Sequence, residues 1–210
     1  MRKILCLGDS NTYGFNPENF TRYKNNERWS GILKSTLEEK QGFKIIEFGQ
    51  NNRTCFSNPA KELNGYLLLK EIIKPDITDI IFALGINDLQ LQFKNNEKIF
   101  ETELNKTISK IKSLNKNIDI LILIPNIINE NILKSYFSSL FNRESIELSK
   151  QLPEIYKKIS ELNKCSTLNL NNFATTSAID SLHYDINNHK IIAEHIIEFY
   201  SNNSNAFPNL

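Results

Sequence analysis

The sequence predicts an α/β fold in which a central, mostly parallel sheet carries helices on both faces. Two observations predict it. Short apolar runs rich in Ile alternate with longer segments whose apolar residues recur at three- and four-residue steps. Two of the runs, 78–84 (TDIIFAL) and 119–124 (DILILI), are almost continuously apolar, as strands covered on both faces must be.

Four strands are expected, at 3–7, 44–48, 78–84 and 119–124, with a weaker fifth at 166–170. Between them, 28–40 places Trp29, Ile32, Leu33 and Leu37 on one helical face. A second helix at 63–73 stops before Lys74-Pro75, and a third spans 97–114 with Phe100, Leu104, Ile108 and Ile111 in step. A long segment at 145–162 contains Pro153, which predicts a kink or a break into two helices. The last helix, 188–200, carries His195 on its apolar face and an exposed His189 near its start. Residues 1–200 read as one domain, and the polar stretch 201–210 as a loose tail.

The bulk composition narrows the class. Lys and Arg total 25 against 24 Asp and Glu, a formal charge of +1 with no basic block. That balance offers no footprint for nucleic acid or an acidic membrane surface. No stretch approaches the ~18 apolar residues of a membrane span, and the apolar run from Ile4 to Leu7 is too short for a signal-peptide core. Cys6, Cys55 and Cys165 are scattered and odd in number, so neither a disulfide framework nor a zinc site is indicated, and a reducing cytoplasm is the expected compartment.

Parallel sheets collect ligands beyond the carboxyl ends of their strands. Polar clusters follow three predicted strands: Gly8-Asp9-Ser10-Asn11-Thr12, Gly49-Gln50-Asn51-Asn52-Arg53-Thr54 and Gly85-Ile86-Asn87-Asp88. A fourth, Asp180-Ser181-Leu182-His183, precedes the last helix. Taken singly, each has a plain reading: Ser10 as a helix cap, Asn52 as a left-handed turn, Asn87-Asp88 as turn chemistry, His183 as an ordinary surface or core histidine. Together they supply every part of acyl transfer. A serine hydroxyl needs a base, which His183 provides; the base needs a carboxylate on its other nitrogen, which Asp180 provides. Charge growing on the carbonyl oxygen needs fixed donors, for which the Asn87 amide and the backbone N–H groups of Ser10 and Asn52 are candidates. No G-x-S-x-G elbow is present.

At these residues the chain resembles the SGNH (GDSL-type) hydrolases: GDSNT matches the first block, GIND the third and DSLH the last. It is most similar to their bacterial arylesterase/acyltransferase branch, through GDSNTYGFNP, Arg28-Trp29, NRT at 52–54, NGYLLL from Asn64 and TDIIFALGINDL. The resemblance implies a three-layer α/β/α flavodoxin-like fold with a five-stranded sheet, a Ser10–Asp180–His183 triad, no cofactor or metal, and hydrolysis of small carboxylic esters or acyl transfer from them. It also implies a homo-oligomer. The chain departs from the family where Asn52 replaces the glycine that usually supplies an oxyanion N–H; a backbone donor is expected to survive that change. Asp9, Tyr13 and Phe15 are candidate pocket residues, and Asp9 with Arg53 is read as a brace for the loops. The segment 125–145, with Tyr136, Phe137 and Phe141, is read as a lid, a pocket wall or a subunit contact. The rival readings are a carbohydrate O-acetyl esterase and a non-catalytic module binding an anion at 8–12.

Overall fold

Five strands, β1 (Arg2–Gly8), β2 (Phe43–Gly49), β3 (Asp79–Ala83), β4 (Asp119–Ile124) and β5 (Ser166–Asn169), pair in the order β2-β1-β3-β4-β5 in a computed structural model describing residues 1–39 and 42–203. All four pairings are parallel. The expected strands are present, and the sheet is parallel throughout rather than mostly so.

Side-chain alternation divides the core. Leu5, Leu7, Ile80, Phe82, Ile120 and Ile122 face one layer of helices, α3 (Gly65–Ile72), α4 (Glu97–Leu114) and α5 (Arg143–Asn163). Ile4, Cys6, Ile81 and Leu121 face the other, formed by α2 (Trp29–Glu39) and α6 (Ile186–Asn203). This double covering is why β3 and β4 read as unbroken apolar runs. Each fully buried Ile, Leu or Phe contributes roughly 1.5–3 kcal/mol.

Caps fix the helix starts. Asn96 accepts from the Ile99 N–H at 3.0 Å, Asn64 from the Leu67 N–H at 3.1 Å, and Asn142 with Ser145 forms a capping box. Contrary to the expected break, α5 runs unbroken through Pro153. The proline removes one backbone bond, but Leu148, Leu152, Ile155 and Ile159 bury the helix face on either side of it. Helix α6 extends to Asn203, so it takes in the first residues of the expected tail; the rest of that tail, from 204, lies outside the described residues.

The strand order reverses between β1 and β3, and a crevice opens at such a switch point beyond the carboxyl ends. Two glycines shape it. A Cβ on Gly49 would lie 2.2 Å from the Tyr13 backbone nitrogen, so only glycine lets the short helix α1 (Ser10–Tyr13) approach the end of β2. Gly85 sits at φ +131 with the Tyr156 hydroxyl 2.0 Å from where a Cβ would be, and it turns the chain directly into Ile86-Asn87-Asp88.

Candidate active site

The nucleophile candidate stands where β1 ends. Asp9 caps α1 by accepting the Asn11 N–H at 2.9 Å, which makes Ser10 the first helical residue and leaves its own N–H without an acceptor in the helix. Ser10 Oγ lies 2.8 Å from His183 Nε2, and His183 Nδ1 lies 2.7 Å from Asp180 Oδ2. Asp180 Oδ1 accepts the N–H groups of Leu182 and His183, each at 2.9 Å. Ser181, at φ 60, provides the left-handed step that folds this four-residue loop back on itself. Burial alone would raise the Asp180 carboxyl; the bonds and charge of His183 and the two backbone donors outweigh it and hold the group below its usual value. An ionised Asp180 fixes the proton on Nδ1 and leaves Nε2 free to accept from the serine hydroxyl.

Asn11 ties the two ends of the chain together. Its amide donates to the Leu182 carbonyl at 3.2 Å and accepts the Tyr184 N–H at 3.2 Å, so the nucleophile turn and the Asp–His loop share one side chain.

Asn87 is buried beside the site. Its Nδ2 donates to the Arg53 carbonyl at 3.1 Å, and its Oδ1 accepts from Gln90 at 3.1 Å. These bonds fix the amide's orientation, and Nδ2 carries a second hydrogen. Asn52 adopts φ 61, the left-handed turn expected of it. Ser10, Asn52, Asn87 and His183 all line one cavity of about 170 Å³. Asp88 supports the wall from behind by accepting the N–H groups of Cys55, Phe56 and Ser57 and the Ser57 hydroxyl, at 2.6–3.0 Å. Burial, only partly offset by those bonds, pushes its carboxyl up to about 6.

Phe15, Phe20, Tyr136, Phe137 and Phe141 form the aromatic side of this cavity, with the Phe15 and Phe137 rings 4.5 and 5.4 Å from the His183 ring. The segment 125–145 thus supplies a pocket wall. Of the three pocket residues expected from sequence, Phe15 is in the lining and two are not. The Tyr13 ring lies under the Arg22 guanidinium at 4.6 Å, and Asp9 borders a separate cavity of about 30 Å³. Arg53 acts as the expected brace, donating to the Gly8 and Phe48 carbonyls at the ends of β1 and β2. The brace does not include Asp9 by direct contact; the two interact through charge, and burial raises the Asp9 carboxyl to about 7.

His189, expected to be exposed, is fully buried. It sits between the Tyr23 and Tyr184 rings and accepts the Trp29 N–H at 3.4 Å; burial drives its imidazole down to about 3. His195 stacks on Phe173 at 3.8 Å. Sequence reasoning missed Phe20 in the lining, Gln90 behind Asn87 and, although it singled out Tyr136, the bond from the Tyr136 hydroxyl to Asp180 Oδ2 at 3.1 Å. Among the described residues no cluster of His, Cys, Asp or Glu could hold a metal, and no helix is long and apolar enough to cross a membrane.

The GDSL-like lipase/acylhydrolase family profile matches residues 6–189, most of the chain and every residue of the site. The chain belongs to that family. As a GDSL-like hydrolase it is a serine ester hydrolase, and solved structures share its fold. It is similar to Est24, a carbohydrate acetylesterase from Sinorhizobium meliloti, at 22% identity over 96% of this chain and 99% of that one, with a TM-score of 0.82. It is also similar to the aryl esterase of M. smegmatis, at 21% identity over 96% and 99% of the two chains, with a TM-score of 0.80. No curated protein sequence gives a match.

Proposed function

We propose that this GDSL-like hydrolase cleaves small esters of apolar or aromatic alcohols through an acyl-enzyme on Ser10. His183 takes the serine proton as Ser10 Oγ attacks the carbonyl carbon. Asp180 holds the imidazolium, and the Asn87 amide with the Ser10 and Asn52 N–H groups receives the oxyanion. His183 then returns the proton to the departing alcohol, and water repeats the sequence to release the acid; an alcohol in place of water gives acyl transfer. The observation that carries the reading is the unbroken run from Asp180 through His183 to Ser10, buried at one end and opening into the aromatic cavity at the other. The departing alcohol is protonated at His183, so it sits against the Phe15 and Phe137 rings, a surface suited to apolar rather than hydroxyl-rich groups.

A carbohydrate O-acetyl esterase is the second reading. It is favoured by Asn51, which lines the same cavity and whose buried Oδ1 has no hydrogen-bond partner, so that a turn of its side chain presents an acceptor to a sugar hydroxyl. The supporting grounds for a cytoplasmic homo-oligomer built on residues 1–200 are its three free cysteines and the exposed Phe20, Tyr136 and Ile179 side chains.

The test is hydrolysis of p-nitrophenyl acetate, phenyl acetate and a peracetylated sugar by the wild type and Ser10→Ala, with fluorophosphonate labelling of both. Turnover and labelling lost together in Ser10→Ala support the acyl-enzyme. A folded wild type that neither labels nor turns over any ester would leave a binding module as the better account. Preference for the sugar ester would select the second reading.

A further inference from the structure

We infer that Tyr136 is a positioning residue of the triad: from the segment between β4 and α5, its hydroxyl holds the Asp180 carboxylate in line with His183. The inference rests on the esterase reading above, in which His183 is the base.

The two oxygens of Asp180 are held differently. Oδ1 is fixed by two backbone N–H groups of its own loop. Oδ2, the oxygen facing the base, has two partners, His183 Nδ1 at 2.7 Å and the Tyr136 hydroxyl at 3.1 Å. Without the tyrosine, the one bond made by Oδ2 itself would be to the group it is meant to orient. The hydroxyl has one hydrogen and a second acceptor within reach, the Pro17 carbonyl at 3.2 Å. An ionised carboxylate is the stronger acceptor, so the hydrogen is shared in favour of Asp180.

The ring has a second task. Asp180 is fully buried while Tyr136 is 43% exposed, so the tyrosine is the cover between the carboxylate and solvent. Its place is set by Phe20 and Phe137, with ring centroids at 5.2 and 4.7 Å, and Phe137 in turn approaches the His183 ring. Burial first, and then the charge of Asp180, push the phenol up beyond its ordinary range, which keeps it a donor across the working pH. The other ionisable rings felt by this pair do not change charge there: burial raises Tyr23 to about 12 and lowers His189 to about 3.

Tyr136→Phe keeps the ring and removes the donor; Tyr136→Leu removes the cover as well. Both are compared with the wild type and Ser10→Ala by p-nitrophenyl acetate kinetics from pH 5 to 9. The His183 imidazole is titrated by NMR in the same proteins. Loss of a hydrogen bond to a charged group predicts a roughly 10- to 100-fold fall in kcat for Tyr136→Phe, with KM little changed. An Asp180 freed of its second donor holds the imidazolium proton more tightly. The acid limb of kcat/KM and the imidazole titration therefore both move to higher pH in Tyr136→Phe. A larger loss is expected in Tyr136→Leu. Wild-type kcat with an unmoved titration in Tyr136→Phe, or a change confined to KM, overturns the inference. If the wild type turns over no ester and Ser10→Ala changes nothing, the esterase reading fails instead. The NMR titration then still decides whether Tyr136 acts on the Asp180–His183 pair.

Discussion

Replacing Asp9 by Asn should make the protein more stable at alkaline pH, and the size of the gain follows from where the carboxyl sits. Asp9 is 4% exposed, and burial raises it from 3.8 to about 7, against the opposing bond from the Asn11 N–H and the charge of Arg53. A carboxyl raised in the folded state binds its proton more tightly there than in the unfolded chain. Its contribution is therefore fully present below pH 3.8 and is lost as pH rises through about 7. The difference, 7 − 3.8, is about three units, worth about 4 kcal/mol at 1.36 kcal/mol each. Roughly two of those units fall between pH 5 and 8, near 3 kcal/mol, or roughly 6–12 °C in Tm for a chain of this size. Asparagine keeps the oxygen that caps α1 and is neutral at every pH. Thermal midpoints of the wild type and Asp9→Asn at pH 5 and pH 8 measure the effect directly. Asp180, lowered, titrates in both proteins and cancels in the comparison, whereas Asp88, whose charge helps to raise Asp9, is relieved of that repulsion in the variant, which adds to the variant's gain at pH 8. The variant should lose much of the wild-type decline between pH 5 and 8 and overtake it at pH 8. Parallel pH profiles for the two proteins would refute the assignment of a costly buried charge to Asp9.

Two further outcomes are expected. Asn87→Ala should cost about 10²–10³ in turnover of p-nitrophenyl acetate with little change in stability beyond the lost Gln90 and Arg53 bonds; a loss below threefold would remove Asn87 from the oxyanion site. Gly85→Ala should unfold at clearly lower temperature, because its Cβ would meet the Tyr156 hydroxyl at 2.0 Å in a backbone conformation that disfavours side chains. Pairing it with Tyr156→Phe, which deletes the clashing oxygen, should restore part of the midpoint.

The strands were legible because each apolar run is short, rich in β-branched residues and followed by a polar turn, the features that separate a buried strand from a buried helix. The same turns announced Ser10, Asn52, Asn87, Asp180 and His183, since their residue types suit one chemistry and lie where a parallel sheet puts its ligands. What could not be read is what depends on contacts far apart in sequence. Tyr136 meets Asp180 across 44 positions, a distance that no periodicity encodes. His189 is flanked by Asn188 and Lys190 and looks solvated, yet Tyr23, Trp29 and Tyr184 close around it. Tyr13 was assigned to the pocket from its nearness to Ser10, and a three-residue step on a helix favours a shared face, yet its ring is taken up by the Arg22 guanidinium instead. At Pro153 the expected break into two helices is absent, because the local rule for proline gave way to burial along the helix face on either side of it.

The bond between Ser10 and His183 spans 173 positions, so a growing chain exposes the proposed nucleophile long before its proposed base exists. At about 5–20 residues per second, the interval is roughly 10–35 seconds. During that time Ser10 is an ordinary alcohol. The proposed chemistry waits for the contacts that seat the Asp180–His183 loop on Asn11 and pack α6 against α2. A zymogen withholds activity by carrying an extra piece of chain that must be cut away. Under the proposed mechanism the same safeguard comes from topology alone: a nascent fragment ending before His183 has Ser10 and no base for it.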